Sequence, residues 1–132
     1  MQIIRNILIV FFIIPMNAAF AENQGVEFVN LRDGDVVSSP FKVKFAVTGM
    51  SLAPAGDTTV NTGHHHLIIN SEGVATGELV PADERHLHFG KAQTETEVTL
   101  PTGNYKLTMQ FANGLHQSYG EVMRKSIQIT VR

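Results

Sequence analysis

The chain has 132 residues, with 10 Lys and Arg against 12 Asp and Glu, six histidines and no cysteine. The formal charge of −2 carries no basic cluster, which argues against a nucleic-acid partner. The missing cysteines exclude disulfides, thiolate metal sites and cysteine nucleophiles, and the length suits one domain.

The first segment, residues 1–21, reads as a cleaved signal peptide. Arg5 supplies the positive start, Ile7 to Ile14 form a short apolar run that Pro15 ends, and Ala19-Phe20-Ala21 offers the small residues of a cleavage site. The run falls short of the roughly 20 apolar residues of a permanent span. An uncleaved anchor is the alternative. Residues 22–132 are then expected as a single β-sandwich domain, periplasmic or secreted, and not membrane-embedded once the signal is removed.

Beyond residue 22 the pattern is one of short alternating runs broken by turns. Val26–Asn30 is a short strand candidate, and Arg32-Asp33-Gly34-Asp35 is a turn signal. Phe41, Val43, Phe45 and Val47 then alternate with polar or small residues, the period of a strand with one buried face. Met50–Gly63 is long, small and polar, with Pro54 and Gly56, and is expected as a surface loop. His65–Asn70, His86–Phe89 and Glu95–Leu100 are further short strands. Tyr105, Leu107, Met109 and Phe111 alternate after the turn at Pro101-Thr102-Gly103-Asn104. Residues 113–125 look like a second long loop, and Ile127, Ile129 and Val131 mark the last strand. No helical period persists, and about seven short strands point to an all-β, immunoglobulin-like antiparallel sandwich. A small antiparallel barrel is the alternative.

All six histidines lie between residues 64 and 116. Neutral imidazole is a good metal ligand near neutral pH. In a strand, residues i and i+2 share a face, so two imidazoles at that spacing can converge on one ion. If Leu67 and Ile69 face the core, His64 and His66 point out together and His65 points in; the reverse assignment makes His65 the lone outward histidine. Leu87 and Phe89 in the core would likewise send His86 and His88 outward. Two such pairs on neighbouring strands predict a site of His64, His66, His86 and His88 for copper(II) or zinc, with His65 and His116 as further candidates. Ile68 shares the outward face and must be exposed or covered by a loop. The competing reading is a structural network in which the rings bond to carbonyls or to nearby Asp83, Glu84, Glu95 and Glu97.

Lys42, Lys44, Glu95 and Glu97 read as solvated strand faces, and Met50, Met109 and Met123 are too scattered for a copper(I) motif. No nucleophile elbow, phosphate loop or dinucleotide fingerprint is present, and no His-Glu-x-x-His pattern supplies a base to a metal hydrolase. The pattern therefore favours a binding protein over an enzyme.

Phe28-Val29-Asn30-Leu31, Asp33-Gly34, Ser39-Pro40-Phe41-Lys42-Val43, Ala53-Pro54-Ala55-Gly56, Thr62-Gly63-His64-His65-His66-Leu67-Ile68-Ile69 and His86-Leu87-His88-Phe89-Gly90-Lys91-Ala92-Gln93-Thr94-Glu95 resemble a family of small exported bacterial proteins classed as a domain of unknown function. The resemblance implies a one-domain exported β protein and carries no activity with it. Here Asn113-Gly114-Leu115-His116 stands where the family has a Gly-Asp segment with a histidine, so the aspartate is missing while His116 matches. The expected function is binding of a divalent metal ion. A non-metal envelope module, docking an envelope protein and using its histidines structurally, is the alternative.

Overall fold

A computed structural model describes residues 23–132. The signal peptide expected at residues 1–21 lies outside the described residues. Nine strands follow in chain order: β1 (Gly25–Phe28), β2 (Asp35–Val37), β3 (Phe41–Thr48), β4 (Ser51–Leu52), β5 (Thr62–Ile69), β6 (His86–His88), β7 (Glu95–Val98), β8 (Gly103–Ala112) and β9 (Arg124–Val131). A 3₁₀ turn, Glu121–Met123, precedes β9. No helix among the described residues is long and apolar enough to cross a membrane.

The fold is all-β. One sheet has the order β1-β3-β7, and the other β2-β9-β8-β5-β4, with β6 also on β5. Two curled sheets enclose one core, a form that a sandwich and a half-barrel describe equally. The alternation read from the sequence explains the core. Phe41, Val43 and Phe45 of β3 meet Leu107, Met109 and Phe111 of β8 and Ile127, Ile129 and Val131 of β9 in one buried cluster. Burying such side chains contributes about 1.5–3 kcal/mol each. On the solvent face of the smaller sheet, Lys42 stands opposite Glu97 and Lys44 opposite Glu95, so these charges are cross-strand partners remote from the histidines.

Several segments differ from expectation. β2 pairs in parallel with the end of β9, although its sequence signals only a turn. Within the expected loop 50–63, β4 pairs in parallel with the start of β5. β9 begins at Arg124, inside the second expected loop, because its register with β8 continues to Gln110 opposite Arg124. In each case backbone pairing with a neighbour overrides weak local preference.

One edge of β5 carries β8. The other edge is shared end to end: Ala53 N–H donates to the Gly63 carbonyl from the β4 side, and Phe89 N–H donates to the His65 carbonyl from the β6 side. β5 is thus a central strand, and residues 62–68 are buried along its whole length.

Candidate metal centre

On β5, Leu67 joins the core, and His65 packs between Phe45 and Phe111 with ring centroids 5.3 and 5.1 Å away. Period two then sends His64, His66 and Ile68 to the opposite face. That face does not meet solvent directly. Ile68 is covered by Val74, Val80 and Ala112 in a second, smaller core. The cover consists of two chain segments bonded to one another. Val80 N–H donates to the His116 carbonyl at 2.9 Å, and Ser118 N–H to the Glu78 carbonyl at 2.8 Å.

A buried polar hub pins this cover to the sheet. The Gln110 side chain donates to the Gly120 carbonyl at 3.0 Å, and its oxygen accepts from Arg124 Nε at 2.9 Å. Arg124 Nη2 and the Ser118 hydroxyl both donate to the Val74 carbonyl at 2.8 Å. Each buried polar group here has a partner, which is what makes such a hub affordable in a low-dielectric interior.

Four imidazoles meet beneath the edge of the cover. His64, His66, His88 and His116 each present a ring nitrogen, and the four atoms lie within 4.8 Å of one another. His88 Nε2 is 3.1 Å from His64 Nε2 and 3.0 Å from His116 Nε2. His64 and His66 are buried, His116 is half-buried and His88 is exposed, so the cluster is closed from below and open on one side. Among the described residues no other group of three or more His, Asp or Glu side chains converges in this way.

The register decides which predicted residues join. β6 pairs antiparallel with β5 so that His66 stands opposite His88 and Ile68 opposite His86. His86 is therefore two residues further along, beside Ile68 rather than His64. There its Nδ1 lies 2.6 Å from Asp83 Oδ1, a contact that holds the Asp83 carboxyl below its usual range. The structure thus brings together His64, His66 and His88 of the predicted set, leaves His86 apart on Asp83, turns His65 into the core, and supplies the fourth imidazole from His116.

His116 is held by its loop. Asn113 Oδ1 accepts from Leu115 N–H at 2.9 Å and Gln117 N–H at 3.0 Å, and Asn113 Nδ2 donates to Gln117 Oε1 at 3.0 Å. An aspartate could accept the first two bonds but could not donate the third. His116 itself adopts φ 65°, an uncommon left-handed conformation for a residue other than glycine.

The Ala53-Pro54-Ala55-Gly56 segment, expected as a plain surface loop, ties the three histidine-bearing segments together. Ala53 N–H donates to the Gly63 carbonyl, Ala55 N–H to Gly90, and Gly56 N–H to Gly114, at 2.8, 2.8 and 2.9 Å. These carbonyls lie next to His64, two residues after His88 and two before His116. Each of the three glycines approaches closely enough that a Cβ would collide: on Gly63 with the Ala112 backbone, on Gly90 with the His88 ring, and on Gly114 with the Asp57 backbone.

Electrostatics favour the neutral form of His64, His66 and His88. Burial, reinforced by His88 and His116, pushes His64 down to about 4. Burial, then the neighbouring imidazoles, pushes His66 down to about 3. His88 is lowered too, by burial and then by His116. Neutral rings with free lone pairs are the form that ligates metal. The Nδ1 atoms of His64 and His66 are buried without a partner.

Two of the spacings suit an ion. Metal–nitrogen bonds of about 2.0–2.1 Å place tetrahedral donors about 3.4 Å apart and square-planar neighbours about 2.9 Å apart. The observed 3.0 and 3.1 Å fall between these values. Beside the cluster lies a cleft of about 310 Å³, bordered by His66, His88 and His116 on one part and by Leu79, Pro81 and Leu115 on another.

The sequence contained signals for the residues it left unassigned. Asn-Gly at 113–114 is a turn signal that positions His116. Gly90 follows the His-x-His pair at i+2, where a side chain would share the His88 face. The role of the 53–56 segment had no local signal, because its partners are far away in the chain.

No curated protein and no solved structure matches the chain. A family match spans residues 43–132, a stretch that includes all four clustered histidines. The chain belongs to the family described as Domain of unknown function (DUF4399).

Proposed function

We propose that this domain binds one divalent metal ion, copper(II) or zinc, through His64, His66, His88 and His116, and that it does so as an exported protein after loss of residues 1–21. The observation that carries the reading is the convergence of four imidazole donors within 4.8 Å of one another. An all-nitrogen set favours copper(II) by the usual affinity order and accommodates zinc. Two buried and two accessible ligands suit a carrier or buffer, since an ion can enter from the open side and be held from below.

The test is metal content of the untagged protein as isolated, followed by titration with Cu(II) and Zn(II). Wild type should take up one equivalent. The variant with all four histidines changed to Ala should bind none, and His86→Ala should bind as wild type does. Equal, weak binding by all three would end the metal reading.

One observation favours a second reading. The Nε2 atoms of His64, His88 and His116 are close enough to share protons in a chain of hydrogen bonds without any ion. In that case the cluster is a structural network of an envelope-binding module. Its four-alanine variant would then lose thermal stability equally with and without a chelator.

A further inference from the structure

Four neutral imidazoles leave the two positive charges of a bound ion uncompensated. Among the described residues no acidic side chain joins the cluster, and none borders the cleft beside it. Asp83 is engaged with His86. An uncompensated dication at a partly desolvated site favours an anion next to it. The cleft is where such an anion can reach the ion, because three of the four imidazoles border it. The rest of its wall is apolar, and Leu79 and Leu115 there stand 65% and 56% exposed. Its volume of about 310 Å³ falls at the small end of ligand pockets.

We infer that the cleft is a binding site for a small organic monoanion with an apolar tail, whose anionic donor meets the bound metal while the tail lies against Leu79, Pro81 and Leu115. The inference rests on the metal reading above and adds a ligand class to it. The domain would then bind metal and ligand together, each raising the affinity for the other by the same factor.

Straight-chain carboxylates test this, since head group and charge stay constant while the tail grows. Each methylene buried contributes roughly fourfold in affinity. The untagged protein is first loaded with Cu(II), then titrated by calorimetry with acetate, butyrate and hexanoate. The dissociation constant should fall at least tenfold from acetate to hexanoate. Metal-free protein should bind hexanoate at least tenfold more weakly than loaded protein. In the double variant Leu79→Asn with Leu115→Asn, the gain from acetate to hexanoate should shrink below threefold while copper affinity stays within twofold. Both side chains are exposed, so the fold should tolerate the change. A flat series on loaded protein, equal hexanoate binding with and without metal, or an unchanged gain in the double variant would each overturn the inference and leave the metal reading standing. Failure to load copper or zinc at all would overturn both.

Discussion

At the scale of single residues, the three consecutive histidines of β5 have three different environments. His64 and His66 face the cluster, while His65 is buried among phenylalanines with neither ring nitrogen hydrogen-bonded. A buried polar group left unpaired costs about 1–3 kcal/mol. His65→Leu should therefore raise the melting temperature by about 4 °C or more and leave metal binding unchanged. A calorimetric scan of the metal-free protein checks the first part and titration the second. His88 and His116 are the accessible ligands. Alanine at either should weaken metal affinity at least tenfold, about 1.4 kcal/mol. His86→Ala should change it less than threefold, measured by competition with a chelator of known affinity.

At the scale of elements, the site depends on how β5, β6 and two loops are held against each other. Gly90→Ala should mimic loss of His88, because the added Cβ occupies the ring's position. The expected result is at least tenfold weaker metal binding from a protein whose far-ultraviolet spectrum is unchanged. Gly114→Ala meets Asp57 backbone instead, which cannot rotate away. Overpacking of this kind costs about 1–3 kcal/mol, so that variant should unfold at lower temperature as well as bind more weakly. Alternation along β3, β8 and β9 made the core legible in advance. The His-x-His spacing likewise made it legible that His64 and His66 share a face and that His65 opposes them. The register of β6 on β5 was not legible, and it separates His86 from His88.

At the scale of the whole molecule, folding forces ionisable rings into a setting where they stay neutral. His64, His65 and His66 have folded values near 4, 4 and 3, against an ordinary value of 6.5. Between these values the unfolded chain binds more protons than the folded one, so stability rises with pH. Stability is thus fully present above about pH 6.5 and is lost as pH falls toward 4 and 3. For the metal-free protein the loss should reach at least about 2 kcal/mol by pH 4.5, read from denaturant midpoints across that range. Metal adds a second dependence of the same sign. An ion present at 100 times its dissociation constant stabilises by about 2.7 kcal/mol, and protons compete for the same nitrogens. The rise in melting temperature on adding Cu(II) at pH 7.5 should therefore shrink as pH drops below 6.5 and vanish with chelator.

The sequence by itself determined the class of the fold, the inward and outward faces of the long strands, and the kind of chemistry available. These follow from period-two patterning and from composition, which are local properties: a chain with six histidines and no cysteine has imidazole and carboxylate as its strong ligands. Tertiary structure alone decided which imidazoles meet. Residues 64 and 88 come together through a strand register, and backbone bonds from the 53–56 segment tie both to the loop of His116; these are pairings between distant parts of the chain, whereas the Asn113 turn that holds His116 is local. Such pairings are set by backbone hydrogen bonding and by the packing of the cover, and no local pattern in the chain encodes them.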